Sequence, residues 1–249
     1  MIQHTFHITE NRPLSHKTFL MRLHGSETGI TAPGQFVNIR IPGKYLRRPV
    51  SVCDYHEEKG EIVLLYDVVG EGTEIMSKMK SGEGLDILSG LGNGFSLPES
   101  PLKALLLGGG IGCAPLLALA KRLKEMDSTP IVILGYNTEK DSFGMEEWFS
   151  DLGIETYLAT VDGSKGTKGF VTDVIREKNL SADYFYACGP TPMLRALSLN
   201  LDMPGELSLE SRMGCGFGAC MCCSLQTADG AKRICKDGPV FRKEELIWK

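Results

Sequence analysis

Five of the eight cysteines in this 249-residue chain lie between residues 215 and 235, and their spacing limits what the chain can fold around. Cys215, Cys220 and Cys223 follow the pattern C-x4-C-x2-C, and Cys235 comes after residues 224–234. This is the plant-type spacing for the thiolate ligands of a [2Fe–2S] cluster. Two glycines in the first gap allow the loop to fold tightly and to aim backbone N–H groups at the cluster sulfurs. The spacing therefore predicts a [2Fe–2S] cluster on these four cysteines.

A structural zinc site is the alternative for the same cysteines. Zinc sites usually show two C-x2-4-C pairs or histidine ligands, whereas Cys235 stands alone and all five histidines lie at or before His56. Cys222 lies between two of the proposed ligands. Its use in place of Cys223 would leave one residue between the second and third ligands instead of two. We therefore expect Cys222 to be a bystander that packs as a small apolar side chain.

Composition and charge exclude several classes of protein. A hydrophobic content of 42% and a charged content of 23% are ordinary for a globular protein. The net charge of −4 does not favour nucleic acid or an anionic membrane as a partner, and no apolar stretch approaches the roughly 18 residues that a membrane span needs. The first residues show no export signal. Clustered cysteines in such a chain indicate metal or redox chemistry, and we expect the protein in the cytoplasm.

The first hundred residues contain several short β-strand patterns. Turn-forming segments such as residues 32–34 and 57–60 separate them. Strands at this spacing predict a small antiparallel β-barrel, which we assign to residues 1–99. The predicted strands are Ile2–Ile8, Thr18–Leu23, Gln35–Ile41, Pro49–Tyr55 and Glu61–Tyr66, with a helix over Glu74–Met79.

Beyond Pro101, strand and helix patterns alternate. Such alternation predicts a parallel sheet covered by helices, a Rossmann-like nucleotide domain over residues 100–205. Residues 206–249 form a short segment that is too small for its own hydrophobic core and that needs the metal centre to hold it. The predicted fold class is therefore β plus α/β, with a C-terminal cluster-binding segment. Strands are predicted at 103–107, 130–134, 154–158 and 184–187, and helices at 116–123, 145–149, 171–177 and 191–199.

Two glycine-containing turns follow predicted strands of the second domain. The turn at 108–112 precedes a helix, so its backbone N–H groups can bind phosphate, and the turn at 188–190 also joins a strand to a helix. Either turn alone is often only a packing device, but ligands of open α/β sheets bind along this edge. The two turns together predict a dinucleotide site. Its predicted residues are Gly108, Gly109, Gly110, Gly112, Cys188, Gly189 and Pro190.

Together these motifs resemble the ferredoxin–NADP reductase family. The resemblance covers nearly the whole chain, since it includes residues 33–36 and 48–51 of the barrel, Gly72-Thr73 and both glycine turns. The C-terminal segment points to one branch of this family. Its residues 210–220 and 235–241 closely resemble the electron-transfer subunits of class 1B dihydroorotate dehydrogenases. Few other proteins join such a segment to a reductase core.

The resemblance implies a set of FAD-binding residues in the barrel. Arg48 would neutralise the FAD pyrophosphate, and Ser51 would hydrogen-bond near flavin N5. The turn at 72–73 would hold phosphate with backbone N–H groups, and residues 65–67 would line the flavin. The family more often has a basic residue at the position of Asp67. The implied FAD residues are Arg48, Pro49, Val50, Ser51, Leu65, Tyr66, Asp67, Gly72 and Thr73.

The second domain would, by the same resemblance, bind NAD(H) against the flavin. No arginine follows the strand at 130–134, where the 2′-phosphate of NADP would need one, and this favours NAD. Nicotinamide exchanges two electrons, a [2Fe–2S] cluster exchanges one, and a flavin exchanges either number. FAD must therefore lie between the other two groups.

The resembled enzyme has a catalytic subunit that contains FMN and oxidises dihydroorotate to orotate in pyrimidine biosynthesis. The resemblance implies that this chain passes the electrons through the cluster and FAD to NAD+. It also implies a heterotetramer with two copies of each subunit. We expect neither a dihydroorotate site nor a catalytic residue in this chain. The alternative is the small subunit of another flavin-based NAD(P)H:acceptor oxidoreductase complex.

Overall fold

A computed structural model describes residues 1–248, and the first part of the chain is a closed barrel. Its elements are β1 (Ile2–Pro13), β2 (Thr18–His24), β3 (Phe36–Ile39), β4 (Arg48–His56), β5 (Glu61–Asp67), α1 (Glu71–Ser77) and β6 (Gly84–Leu91). The strands are antiparallel and run around the barrel in the order β1-β2-β5-β4-β3-β6. Alternate side chains such as Phe6, Leu64 and Ile87 are fully buried and fill the interior.

The second part is a parallel sheet with helices on its faces. Its elements are β7 (Lys103–Gly109), α2 (Leu116–Glu125), β8 (Thr129–Tyr136), α3 (Met145–Asp151), β9 (Glu155–Thr160), β10 (Thr167–Lys168), α4 (Val171–Glu177), β11 (Tyr184–Cys188), α5 (Thr191–Asn200) and β12 (Gly205–Ser208). The strand order is β10-β9-β8-β7-β11-β12. The central strand β7 is buried on both faces, as its continuous apolar run requires.

The cysteine-rich segment leaves this sheet and returns to it. Its elements are β13 (Ser224–Thr227), β14 (Gly230–Arg233), α6 (Ile234–Asp237) and β15 (Val240–Arg242). β13 and β14 form a hairpin, and β15 pairs antiparallel with β12 as the seventh strand of the large sheet. Residues 209–239 are therefore enclosed between two neighbouring strands.

Buried apolar side chains join the parts of the molecule. Leu20 and Leu65 of the barrel belong to the same buried cluster as Leu106 and Leu119 of the nucleotide domain. Phe36 on β3 belongs to a second cluster, which includes side chains of the cysteine-rich segment. The predicted fold class is confirmed: an antiparallel barrel, a parallel sheet with helices and a C-terminal cluster segment. The strands β6, β10 and β12 to β15 were not among the predicted ones.

Candidate cofactor and dinucleotide sites

The two glycine turns meet at the carboxyl edge of the parallel sheet. β7 and β11 are neighbours, and Gly108 pairs with Cys188 at their ends. A Cβ on Gly112 would lie 2.6 Å from the carbonyl oxygen of Cys188, and a Cβ on Gly109 would lie 2.8 Å from Cδ of Pro190. Only glycine lets the two turns approach so closely. The residues predicted from the two turns thus lie together at one edge of the sheet.

A cavity of about 420 Å³ opens between this edge and the barrel. One wall consists of residues 109–111 and Pro190, and another of residues 136–137 at the end of β8. Residues 17–18 and Asp67 contribute the barrel side. The volume is typical of ligand pockets, and the position is where a dinucleotide bound along the sheet edge would face the barrel.

Lys17 connects the barrel to the nucleotide domain at the rim of this cavity. Its Nζ lies 3.2 Å from Oδ1 of Asp141, in the turn after β8, and 3.6 Å from Oδ2 of Asp67. Asp67 also accepts a hydrogen bond from Oγ1 of Thr18 at 2.6 Å. Burial lowers the pKa of Lys17 and raises that of Asp141, but their hydrogen bond and opposite charges outweigh burial. The pKa of Lys17 is therefore raised and that of Asp141 lowered, so both groups are charged at neutral pH.

Arg48 and the turn before α1 meet on the outside of the barrel. A Cβ on Gly72 would lie 2.4 Å from Nε of Arg48, so the guanidinium lies directly against the first turn of the helix. Oγ1 of Thr73 accepts hydrogen bonds from the N–H groups of Val69 at 3.0 Å and Gly70 at 3.2 Å, which fixes the turn. A cation beside the start of a helix fits the pyrophosphate of FAD.

The other implied FAD residues are divided between the two faces of the barrel wall. Val50 and Tyr66 lie in the barrel core, where the hydroxyl of Tyr66 donates to Oδ1 of Asn11 at 3.0 Å. Leu65 is buried towards the nucleotide domain. The structure thus brings Arg48, Gly72 and Thr73 to one point, whereas Val50 and Tyr66 lie inside the barrel. Pro49 is exposed and Ser51 is half-buried on the same strand, and Asp67 lies at the cavity rim.

The four predicted cluster ligands form two pairs. The N–H of Cys215 donates to Sγ of Cys220 at 3.3 Å in the first pair, and the N–H of Cys235 donates to Sγ of Cys223 at 3.4 Å in the second pair. Within residues 1–248, no three His, Cys, Asp or Glu side chains surround a single point that could hold one metal ion. A [2Fe–2S] cluster has two irons that share four cysteine ligands, so two pairs of thiols fit it.

Cys215 of the first pair and Cys235 of the second pair differ in how readily they lose a proton. The N–H groups of Ala219 and Cys220 donate to Sγ of Cys215 at 3.2 and 3.4 Å. Burial raises the pKa of Cys215, but backbone N–H hydrogen bonds outweigh burial and lower this pKa to about 6. Burial and the neighbouring thiol of Cys223 raise the pKa of Cys235 to about 12. Because metal ligands must be deprotonated, assembly of a cluster here would release a proton from Cys235, whereas Cys215 already loses its proton readily.

The hydrogen bond of the Cys222 thiol goes to the backbone and to neither cysteine pair. Cys222 is exposed, and its Sγ lies 3.7 Å from the carbonyl oxygen of Arg212, whereas Cys223 is buried. The preceding Met221 has a φ of +60°, which turns the chain sharply between the second and third proposed ligands. Cys222 is exposed, so it does not pack as a small apolar side chain, as was expected above. The choice of Cys223 over Cys222 as a ligand stays a prediction.

Three residues at these sites were missed by reasoning from the sequence. Lys17 and Asp141 meet across the cavity rim, and Asn38 on β3 contacts the cysteine loop. Asp141 alone carried a local signal, because Thr138 and Asp141 form a capping box after the second strand of the nucleotide domain. Nothing in the spacing along the chain indicated the other two.

Family models and related proteins both match the chain to oxidoreductases that bind an iron–sulfur cluster and NAD. Residues 210–247 match the iron–sulfur cluster binding domain of dihydroorotate dehydrogenase B, and residues 106–198 match the oxidoreductase NAD-binding domain. Relatives called "Dihydroorotate dehydrogenase B (NAD(+)), electron transfer subunit" are 43% identical in Bacillus pumilus and in Fusobacterium nucleatum, each over 96% of both chains. The relative from a Geobacillus species is 42% identical over 99% of both chains.

Solved structures show the same architecture. The chain resembles a structure of NADH-dependent reduced ferredoxin-NADP oxidoreductase, described for flavin-based electron bifurcation, with a TM-score of 0.89 and 32% identity over 98% of this chain and 90% of that one. A ferredoxin reductase of carbazole 1,9a-dioxygenase shares the fold at 21% identity, with a TM-score of 0.65 over 78% of this chain and 63% of that one. These matches confirm the predicted cofactors: an iron–sulfur cluster, FAD and NAD(H).

No helix within residues 1–248 is long and apolar enough to cross a membrane.

Proposed function

The chain belongs to the family of dihydroorotate dehydrogenase B electron transfer subunits, and from that premise we propose that it passes electrons from the FMN of a partner subunit, through a [2Fe–2S] cluster and FAD, to NAD+. In this role it supports the oxidation of dihydroorotate to orotate in pyrimidine biosynthesis, which the partner carries out. A bound flavin can exchange single electrons with a cluster and pairs of electrons with nicotinamide. This chain therefore needs no general acid or base, and its residues bind and orient the cofactors.

One observation carries the proposal: the cysteine pairs, the contact of Arg48 with Gly72 and the cavity follow one another in the order that the electrons would need. The paired cysteines pack beside β3, and β3 pairs with β4, which carries Arg48. The cavity then lies between the barrel and the glycine turns. Arg48 and the turn at Gly72 would neutralise the FAD pyrophosphate, and the turns at 108–112 and 188–190 would bind the dinucleotide with backbone N–H groups.

The partner is proposed to dock over the cluster loop. Phe217 and Met221, which flank Cys220, are 44% and 53% exposed, and a partner would cover them with an apolar surface of its own. Docking here would bring the partner's FMN close to the cluster, and the proposed assembly contains two copies of each subunit. None of the eight cysteines forms a disulfide bond in the structure, which suits the proposed location in the cytoplasm.

The test starts from anaerobically purified protein. We expect FAD together with two irons and two acid-labile sulfides per chain, as a [2Fe–2S] cluster requires. The isolated chain should oxidise NADH with an artificial acceptor such as ferricyanide and should leave dihydroorotate untouched. Adding an FMN-containing dihydroorotate dehydrogenase subunit should produce dihydroorotate-dependent reduction of NAD+. Zinc in place of iron, or sustained dihydroorotate oxidation without the partner, would contradict the proposal.

A second candidate function is supported by the 32% identity and the TM-score of 0.89 to the NADH-dependent reduced ferredoxin-NADP oxidoreductase structure. The chain would then be the small subunit of another flavin-based NAD(P)H:acceptor oxidoreductase complex. Affinity purification of the tagged chain from its own cells separates the two functions. A partner of the dihydroorotate dehydrogenase type supports the first function, and a different flavoprotein partner supports the second.

A further inference from the structure

Asn38 lies on β3, on the outer face of the barrel that the cysteine-rich segment covers. Its neighbours Val37 and Ile39 belong to the barrel core, whereas Phe36, on the same face as Asn38, belongs to the buried cluster that includes the second cysteine pair. Asn38 itself is only 1% exposed. An amide buried so deeply needs hydrogen-bond partners, so its contacts show what the side chain does.

The amide nitrogen of Asn38 holds the turn that carries the first proposed cluster ligand. Nδ2 donates to the carbonyl oxygen of Cys215 at 3.1 Å, across 177 positions of sequence. A Cβ on Gly216 would lie 2.3 Å from Nδ2, and Gly216 has a φ of +80°, so both space and backbone conformation require glycine there. If the Asn38 amide were flipped, its Oδ1 would face the carbonyl oxygen of Cys215, and two acceptors would meet. The carbonyl of Cys215 therefore fixes the orientation of the amide.

The amide oxygen of Asn38 has no partner in the protein. It is one of three buried side-chain N or O atoms within residues 1–248 that lack a hydrogen bond. An unpaired buried acceptor costs about 1–3 kcal/mol. On the adjacent strand, Pro49 of the Arg48–Ser51 motif is paired directly with Asn38. The Asn38 amide therefore lies between the FAD motif and the first proposed cluster ligand, and its Oδ1 accepts no hydrogen bond from the protein.

We propose that Asn38 is a positioning residue for electron transfer between FAD and the [2Fe–2S] cluster. The proposal rests on the function proposed above. By holding the carbonyl of Cys215, Asn38 fixes the ligand turn against the strand that neighbours the FAD motif, and it keeps the following N–H groups directed at Sγ of Cys215. Its loss would alter the placement of the cluster relative to FAD. Reduction of FAD by NADH would take place on the cavity side, where the glycine turns lie, and would not depend on this contact.

The test compares two variants with a matched control in the full chain. Asn38→Leu replaces the amide with an apolar side chain of similar size, and Asn38→Asp keeps the shape but cannot donate to the carbonyl. Asn93→Ala removes another amide contact with the same segment, because Nδ2 of Asn93 donates to the carbonyl oxygen of Asp237 at 2.9 Å, but it touches no proposed ligand. Asn93 is exposed, so its loss should be well tolerated.

Anaerobic rapid mixing with NADH separates the two electron-transfer steps. In both Asn38 variants we expect flavin reduction at the wild-type rate and an altered electron paramagnetic resonance spectrum of the reduced cluster. Cluster reduction should slow about tenfold, because the loss of one hydrogen bond lowers the population of the correctly placed ligand turn by about that factor. Asn93→Ala should match the wild type. Asn38→Asp decides the test if Asn38→Leu does not fold.

Three results would overturn the inference. They are wild-type cluster reduction with an unchanged spectrum in both Asn38 variants, equal slowing in Asn93→Ala, or loss of the cluster from both Asn38 variants with FAD retained, which would make Asn38 a purely structural residue. A wild-type chain that carries neither FAD nor cluster would instead overturn the proposed function.

Discussion

Replacing Gly72 by alanine should weaken FAD binding while leaving the fold intact. The new Cβ would lie 2.4 Å from Nε and 2.8 Å from Cζ of Arg48, so the guanidinium must move. The fold tolerates this movement, because the displaced atoms end a flexible side chain and α1 gains a better helix former. The guanidinium would lose its charge-assisted hydrogen bond to the FAD pyrophosphate, worth about 1.5–3 kcal/mol. We expect the dissociation constant of FAD to rise about 10- to 150-fold.

Gly70→Ala is the matched control for this prediction. Gly70 lies two residues earlier in the same turn and has a φ of −179°, which any residue adopts, and a Cβ there would have no other atom within 4 Å. Titration of FAD into the deflavinated protein, followed by flavin fluorescence, gives the affinity of each variant. Thermal unfolding should show both variants close to the wild type. Wild-type FAD affinity in Gly72→Ala, or an equal loss in Gly70→Ala, would refute the reasoning about Arg48.

Two further predictions concern the cluster and the cavity rim. Cys222→Ser should keep the visible absorbance and the paramagnetic signal of the reduced cluster, whereas Cys223→Ser should lose both. The reverse result would make Cys222 the ligand and Cys223 the bystander. Lys17→Met should lower the free energy of unfolding by up to about 1 kcal/mol at neutral pH, measured by chemical denaturation. The folded-state pKa of Asp141 is lowered, so the contribution of this pair is lost as the pH falls through that pKa. The difference should therefore be fully present above the ordinary pKa of an aspartate and shrink as the pH falls below it, and a constant difference would contradict the assignment.

Patterns over a few consecutive residues predicted those strands and helices whose formation depends mainly on residues close to them in the sequence. The five predicted barrel strands are all present, and the apolar run of β7 gave the central strand of the sheet. β6 was missed because its apolar alternation holds only from Leu85 to Ile87; apolar Leu88 follows directly, and glycine at positions 84 and 90 is unfavourable in a strand. β15 has only three residues, and it is a strand because β12 pairs with it. Such pairing depends on contacts that no window of sequence contains.

The same distinction applies to the sites. Cysteine spacing and glycine turns are local, and they predicted which residues would gather at the cluster loop and at the sheet edge. Lys17 and Asn38 act on partners in other parts of the molecule, and the contact of Asn38 spans 177 positions. Each is an ordinary polar residue within its own strand or turn. Only the folded chain shows that one lies at the cavity rim and the other under the cysteine loop.

The pairing of β15 with β12 makes the cluster-binding segment an insertion between two strands instead of a free end. Its two ends are held at the spacing of adjacent strands, about 4.8 Å, by backbone hydrogen bonds that involve no iron. Lengthening such a closed loop is inexpensive, since each doubling costs only about 0.6 kcal/mol of closure entropy. The segment is therefore anchored at both ends independently of the cluster, and a somewhat longer insert between the same two strands would raise the cost of closing the loop only slightly.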